Sequence, residues 1–118
     1  MLEEAYDVVD YLSLHAYYEE HDGDAGSFLA SAVDMDRFID AVTATADHVR
    51  AKLGAGKRID LSFDEWNVWY LSRFQHDGPE PGWPIAPRLI EDRYSVTDAV
   101  VVGNLLISLL RHADRVAV

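Results

Sequence analysis

The chain has 118 residues, 49% of them apolar and 26% charged, which suits one packed core and excludes a largely disordered polymer. It has no cysteine, so disulfides, thiolate metal ligands and a cysteine nucleophile are excluded together. Its 21 acidic against 10 basic residues give a net charge of -11, which disfavours nucleic acid and membrane surfaces as partners but does not penalise neutral ligands such as sugars.

The opening MLEEAYDVVD lacks the basic start and apolar run of a signal peptide, so a cytoplasmic location is expected. Residues 8–14, VVDYLSL, have the β-branched and aromatic content of a buried strand. Alternation puts Val9, Tyr11, Ser13, His15 and Tyr17 on one side of it. The acidic, glycine-containing YEEHDGDAGS at 18–27 suggests a mobile loop.

A helix follows, because Met35, Phe38, Ile39, Val42, Ala46, Val49 and Leu53 recur at helical spacing. Ser31 or Asp34 is expected to cap its start and Gly54 or Gly56 to end it. RIDLSFDEW at 58–66 reads as a second strand, with Ile59, Leu61, Phe63 and Glu65 on one parity and Asp64 on the other. The stretch 72–94 carries four prolines in a loop of roughly 20 residues, a length that is usually functional or disordered.

Ser95, with Asp98 three residues on, starts a last helix over about 96–113, apolar on most sides and expected to be largely buried. Its apolar core, AVVVGNLLISLL at 99–110, is far short of the ~20 residues a membrane span needs. The closing ADRVAV reads as the start of a third strand. Strands alternating with helices imply a parallel sheet, and both polar clusters, His15/Tyr17 and Asp64/Glu65, fall just after strand ends, where parallel α/β folds collect active sites.

Asp64 and Glu65, ringed by Trp66, Trp69 and Tyr70, could supply a nucleophile or general acid; a solvated strand end or helix cap would account for them equally well. His15 and Tyr17 could orient a carboxylate or bind a sugar hydroxyl, or be structural. The three aromatics could stack on a sugar ring or fill core. His21, Asp22 and Asp24 match no calcium or zinc spacing, so no metal site and no cofactor is assigned. No phosphate loop, GxSxG or GxGxxG occurs.

At SLHAYY (13–18) and LSFDEWNVWY (61–70), continuing through 85–116, the chain resembles the family 51 glycoside hydrolases, α-L-arabinofuranosidases with (β/α)8 barrels. The resemblance implies an α/β fold: a partial (β/α)8 TIM barrel of about two βα units plus the start of a third strand, in which 13–18 ends strand six and 61–66 is strand seven. Residues 1–118 would be one piece of a glycosidase catalytic domain. It further implies that Glu65 is the catalytic nucleophile, that His15 and Tyr17 line the sugar subsite with Tyr17 bonded to Glu65, and that Trp69 lies against the substrate.

The expected function is that of a retaining, exo-acting α-L-arabinofuranosidase releasing terminal arabinofuranosyl units by double displacement. The family's acid/base glutamate follows an asparagine, and no Asn-Glu pair occurs here. Strand alternation turns Asp64 away from Glu65, so it should not substitute. The isolated chain is therefore expected to be inactive. Its expected partners are arabinose-containing oligosaccharides or polysaccharides, and copies of itself through exposed barrel edges. The alternative reading is a non-catalytic α/β module for sugar binding or assembly.

Overall fold

The computed structural model describes residues 1–73, 82–86 and 92–118. In chain order these form α1 (Leu2–Ala5), β1 (Tyr11–Tyr18), α2 (Ala25–Leu29), α3 (Ser31–Leu53), β2 (Asp60–Val68) and α4 (Val96–Arg111). The architecture is mixed α/β: β1 and β2 pair in parallel, and the helices pack on one face of that sheet. A third partner begins on the other side of β2. The Leu61 amide donates to the Arg115 carbonyl at 2.8 Å, the Ala117 amide to Leu61 at 2.9 Å, and the Phe63 amide to Val118 at 2.8 Å. The expected start of a third strand in ADRVAV is thus present.

The core follows from two periodicities. Leu14 of β1 and Leu61 and Phe63 of β2 face Met35 and Ile39 of α3, Val101 and Leu105 of α4, and Phe28 of α2. Met35, Ile39, Leu61, Val101 and Leu105 are fully buried, each side chain contributing about 1.5–3 kcal/mol of transfer free energy. The odd residues of β1, Tyr11, Ser13, His15 and Tyr17, all emerge on the opposite, open face. A smaller cluster of Tyr6, Val49 and Ile59 closes the end near α1. Between the two long helices, Ser108 donates to Asp36, whose carboxylate also lies 3.1 Å from His112 Nε2.

Several expectations are corrected. The first strand begins at Tyr11 rather than Val8, because the chain is still turning: the Val9 amide donates back to Ala5 and Val8 is exposed. Neither Ser31 nor Asp34 caps α3. The stretch read as a mobile loop turns helical from Ala25 with Asp24 as its cap, leaving Ala30 as the junction between helices, and the Ser31 hydroxyl bonds back to Phe28. Gly54 does end α3 in the left-handed conformation, φ 62°.

α4 opens with the expected Ser95/Asp98 capping box. It is not buried on most sides, however. Val100, Leu106, Ile107 and Leu110 are exposed, since α3, β2 and α2 cover one side only. The proline-rich stretch 72–94 lies largely outside the described residues.

Candidate active site

The site is built on the open face of the sheet, and a β-bulge makes it. Ser13 pairs with Ser62 and His15 with Glu65, so Leu14 alone spans the two residues Phe63 and Asp64. One extra residue in β2 reverses which parity faces the helices. Before the bulge the buried residues are Ile59, Leu61 and Phe63; after it they are Val68 and Tyr70, with Trp66 packed against the same core.

The bulge overturns the expectation that Asp64 points away from Glu65, and with it the grouping of Glu65 with Leu61 and Phe63. Both carboxylates stand on the open face beside Ser13, His15 and Tyr17. Nor do the polar clusters lie beyond the strands: β1 and β2 run on to Tyr18 and Val68, so the four residues sit in their C-terminal halves.

The contacts form one connected set. The Tyr17 hydroxyl donates to Glu65 Oε1 at 2.7 Å, and His15 Nδ1 is 3.3 Å from Glu65 Oε2. On the other side of the imidazole, Nε2 is 3.0 Å from Ser13 Oγ and 3.7 Å from Asp64 Oδ1. Ser13 Oγ in turn donates to Asp64 Oδ1 at 2.9 Å. The Trp69 ring stands edge-on to Tyr17, centroids 5.0 Å apart. Tyr17 and Trp69 also line a cleft of about 810 Å³ whose far wall includes His21, Asp24 and Asp34. The four residues expected to act together, His15, Tyr17, Glu65 and Trp69, are therefore neighbours.

Protonation follows from these partners. The Ser13 hydroxyl and the backbone amide of Asp64 hold the Asp64 carboxyl below the ordinary carboxylate range. Asp64 is thus an anion at neutral pH and cannot lend a proton to a leaving group. Its hydrogen bond to Glu65 raises the Tyr17 phenol above its ordinary value, with burial adding to the effect, so Tyr17 stays a donor. The arrangement holds one oxygen of Glu65 by the Tyr17 donor and leaves it no acid partner in Asp64.

Sequence reasoning gives Ser13 no role, and it considers Asp64 but sets it aside as pointing away from Glu65. A signal was there: apolar residues occupy odd positions up to Phe63 and even positions from Trp66, with two acids between. Among the described residues no group of three His, Asp or Glu side chains is placed to hold a metal ion. No described helix is long and apolar enough to cross a membrane.

Behind the site, Trp69 is held through its neighbour. The Tyr70 ring is buried against Phe28, its hydroxyl donates to Asp98 Oδ1 at 2.5 Å, and the Arg73 guanidinium lies 3.6 Å from its ring centroid. The Trp69 amide itself donates to Tyr18 at 2.9 Å, tying the ends of both strands together.

Residues 64–118 match the family described as the alpha-L-arabinofuranosidase C-terminal domain. Over its whole length the chain is 65% identical to an intracellular exo-alpha-(1->5)-L-arabinofuranosidase of Streptomyces lividans, covering 18% of that protein. It is 51% identical to a protein of the same name from Halalkalibacterium halodurans, covering 23% of it. A solved family 51 alpha-L-arabinofuranosidase from Bifidobacterium longum superposes on 98% of the chain with a TM-score of 0.82 at 45% identity, and 24% of that structure is matched. The chain thus spans about a fifth to a quarter of the relatives it matches.

Proposed function

We propose that these residues are the part of a retaining, exo-acting α-L-arabinofuranosidase that carries its nucleophile, Glu65. The observation that carries the reading is the pair of groups on that carboxylate: the Tyr17 hydroxyl on one oxygen and the His15 ring beside the other, on the open face of parallel strands. The similarity to arabinofuranosidases supports the substrate class, a terminal arabinofuranosyl unit of an oligosaccharide or polysaccharide.

In this reading β1, β2 and the strand begun at Arg115 are consecutive strands of a (β/α)8 barrel, six, seven and eight. The open sheet face is the barrel interior, and α3 and α4 belong to its outer ring. Two features support it. The sheet is parallel with the described helices on one face, and α4 presents an apolar side that the described residues leave exposed, where a further helix would pack.

Glu65, as the anion, attacks the anomeric carbon. The bond to the leaving oxygen breaks while an acid carboxyl group about 5–5.5 Å away protonates it, leaving an ester between the sugar and Glu65. The same group, now a carboxylate, takes a proton from water, which displaces Glu65 and restores it. Tyr17 keeps the nucleophile oriented, and Trp69 offers its face to the sugar. The acid/base group comes from outside these residues, because Asp64, the neighbour of Glu65, is already ionised. The isolated chain is accordingly inactive and associates with itself through the free edge of β1 and the open face. A cytoplasmic location goes with the name intracellular carried by its relatives.

The test is mechanism-based trapping in the longer enzyme, followed by peptide mass spectrometry. An arabinofuranosyl adduct on Glu65, and loss of turnover in Glu65→Gln, are expected. A label on another carboxylate, or hydrolysis of an aryl arabinofuranoside by the isolated 118-residue chain, would overturn the assignment.

A further inference from the structure

The imidazole beside Glu65 has its own support, and that support dictates where its hydrogen sits. Ser13 Oγ touches both Asp64 Oδ1 and His15 Nε2. A serine has one hydrogen to donate and an ionised carboxylate has none, so in the Ser13–Asp64 bond the hydrogen comes from Ser13. Towards His15 the serine oxygen can then only accept, and Nε2 must be the nitrogen that bears a hydrogen.

Across the ring, Nδ1 faces Glu65 Oε2 at 3.3 Å. A bare lone pair there would oppose the carboxylate, whereas a second hydrogen makes the contact attractive. The charged groups in contact with the ring, Asp64 and Glu65, are both anions of β2.

We propose that Ser13 and Asp64 are positioning residues that fix His15 with a hydrogen on Nε2, so that any further ring proton is placed on Nδ1 against Glu65. Neither residue touches the reacting atoms. Together they stop the ring from turning over, and a second ring proton then gives Glu65 a donor on Oε2 to match Tyr17 on Oε1. The bulge is what makes this possible, since in a regular strand Glu65 would share the helix side with Leu61 and Phe63 while Asp64 stayed with Ser13 and His15. The catalytic meaning rests on Glu65 being the nucleophile; the protonation pattern of the ring does not.

Long-range proton–nitrogen correlation spectra of the ¹⁵N-labelled 118-residue chain test the proposal at neutral pH, with His15→Gln assigning the ring. Ser13 and Asp64 are exposed, so their substitution opens no core cavity. The wild-type ring should show Nε2 protonated. Ser13→Ala should lose that hydrogen to rapid exchange and mix the two tautomers. In Asp64→Asn the carboxamide can donate to Ser13, turning the hydroxyl towards Nε2 and moving the ring hydrogen to Nδ1. A wild-type ring protonated on Nδ1 alone, or resembling free histidine, would overturn the proposal. So would one pattern shared by all three proteins. Failure of the nucleophile assignment would show separately, in the trapping experiment on the longer enzyme.

Discussion

Removing one oxygen atom, in Tyr70→Phe, tests how the end of β2 is anchored. The Tyr70 hydroxyl donates at 2.5 Å to Asp98 Oδ1, while Asp98 Oδ2 accepts from the Ser95 amide at 2.5 Å and so caps α4. Asp98 is only 2% exposed, so water cannot replace the lost donor. Ring volume is unchanged and no cavity forms. What is lost is a charge-assisted bond with one carboxylate oxygen left bare in the interior, about 1.5–3 kcal/mol. For a domain of this length that lowers Tm by roughly 5–12 °C.

The pH dependence has a definite sign. Burial pushes the Asp98 carboxyl up, but the Tyr70 hydroxyl and the Ser95 amide and hydroxyl outweigh it, and the folded pKa lies below the ordinary value. That stabilisation is present above the unfolded pKa of about 3.9 and is lost as pH falls through the folded one. Burial and Asp98 push the Tyr70 phenol up to about 12, so its share is complete below about pH 10 and lost as pH rises through 12. Urea unfolding of wild type and Tyr70→Phe across roughly pH 2.5–7 measures the acid effect, and across roughly pH 9–12 the phenol's share. A deficit under about 0.5 kcal/mol at neutral pH, or one that does not shrink in acid, would refute the reasoning.

In the proposed longer enzyme, Tyr17→Phe should lower kcat about 10–100-fold with little change in KM, since its hydroxyl would serve the proposed nucleophile rather than the sugar; a pure KM effect would contradict that. Arg115→Met deletes the bond to Asp47 at 2.7 Å and another to the Ile59 carbonyl at 3.1 Å. Hydrogen exchange at the Leu61, Phe63 and Ala117 amides should speed up, with a stability loss of about 1–3 kcal/mol; unchanged exchange would mean that the last strand holds without Arg115. Sedimentation of the isolated chain should show species larger than the monomer at micromolar concentration, and a strict monomer would count against an exposed barrel interior.

The sequence by itself determined the order of the strands and the two long helices, because helical and alternating periodicities are local properties of the chain, but it missed the short helices α1 and α2. The α3 stripe, the Ser95/Asp98 box, the Gly54 stop and the third-strand start could all be read from it. The grouping of His15, Tyr17, Glu65 and Trp69 came from the resemblance carried by two short motifs, since spacing alone left each of them a structural reading. The sequence did not determine which face each carboxylate takes. Alternation is a rule for regular strands, and the register is set by hydrogen bonds to β1, where Leu14 stands against both Phe63 and Asp64. Only pairing between strands some 50 residues apart in sequence decides that Glu65 joins Asp64, Ser13 and His15 on one face. The exposure of α4 was likewise beyond local reading. A helix can show apolar residues on every side in sequence, yet only its packed neighbours decide which side is buried, and here those neighbours cover just one.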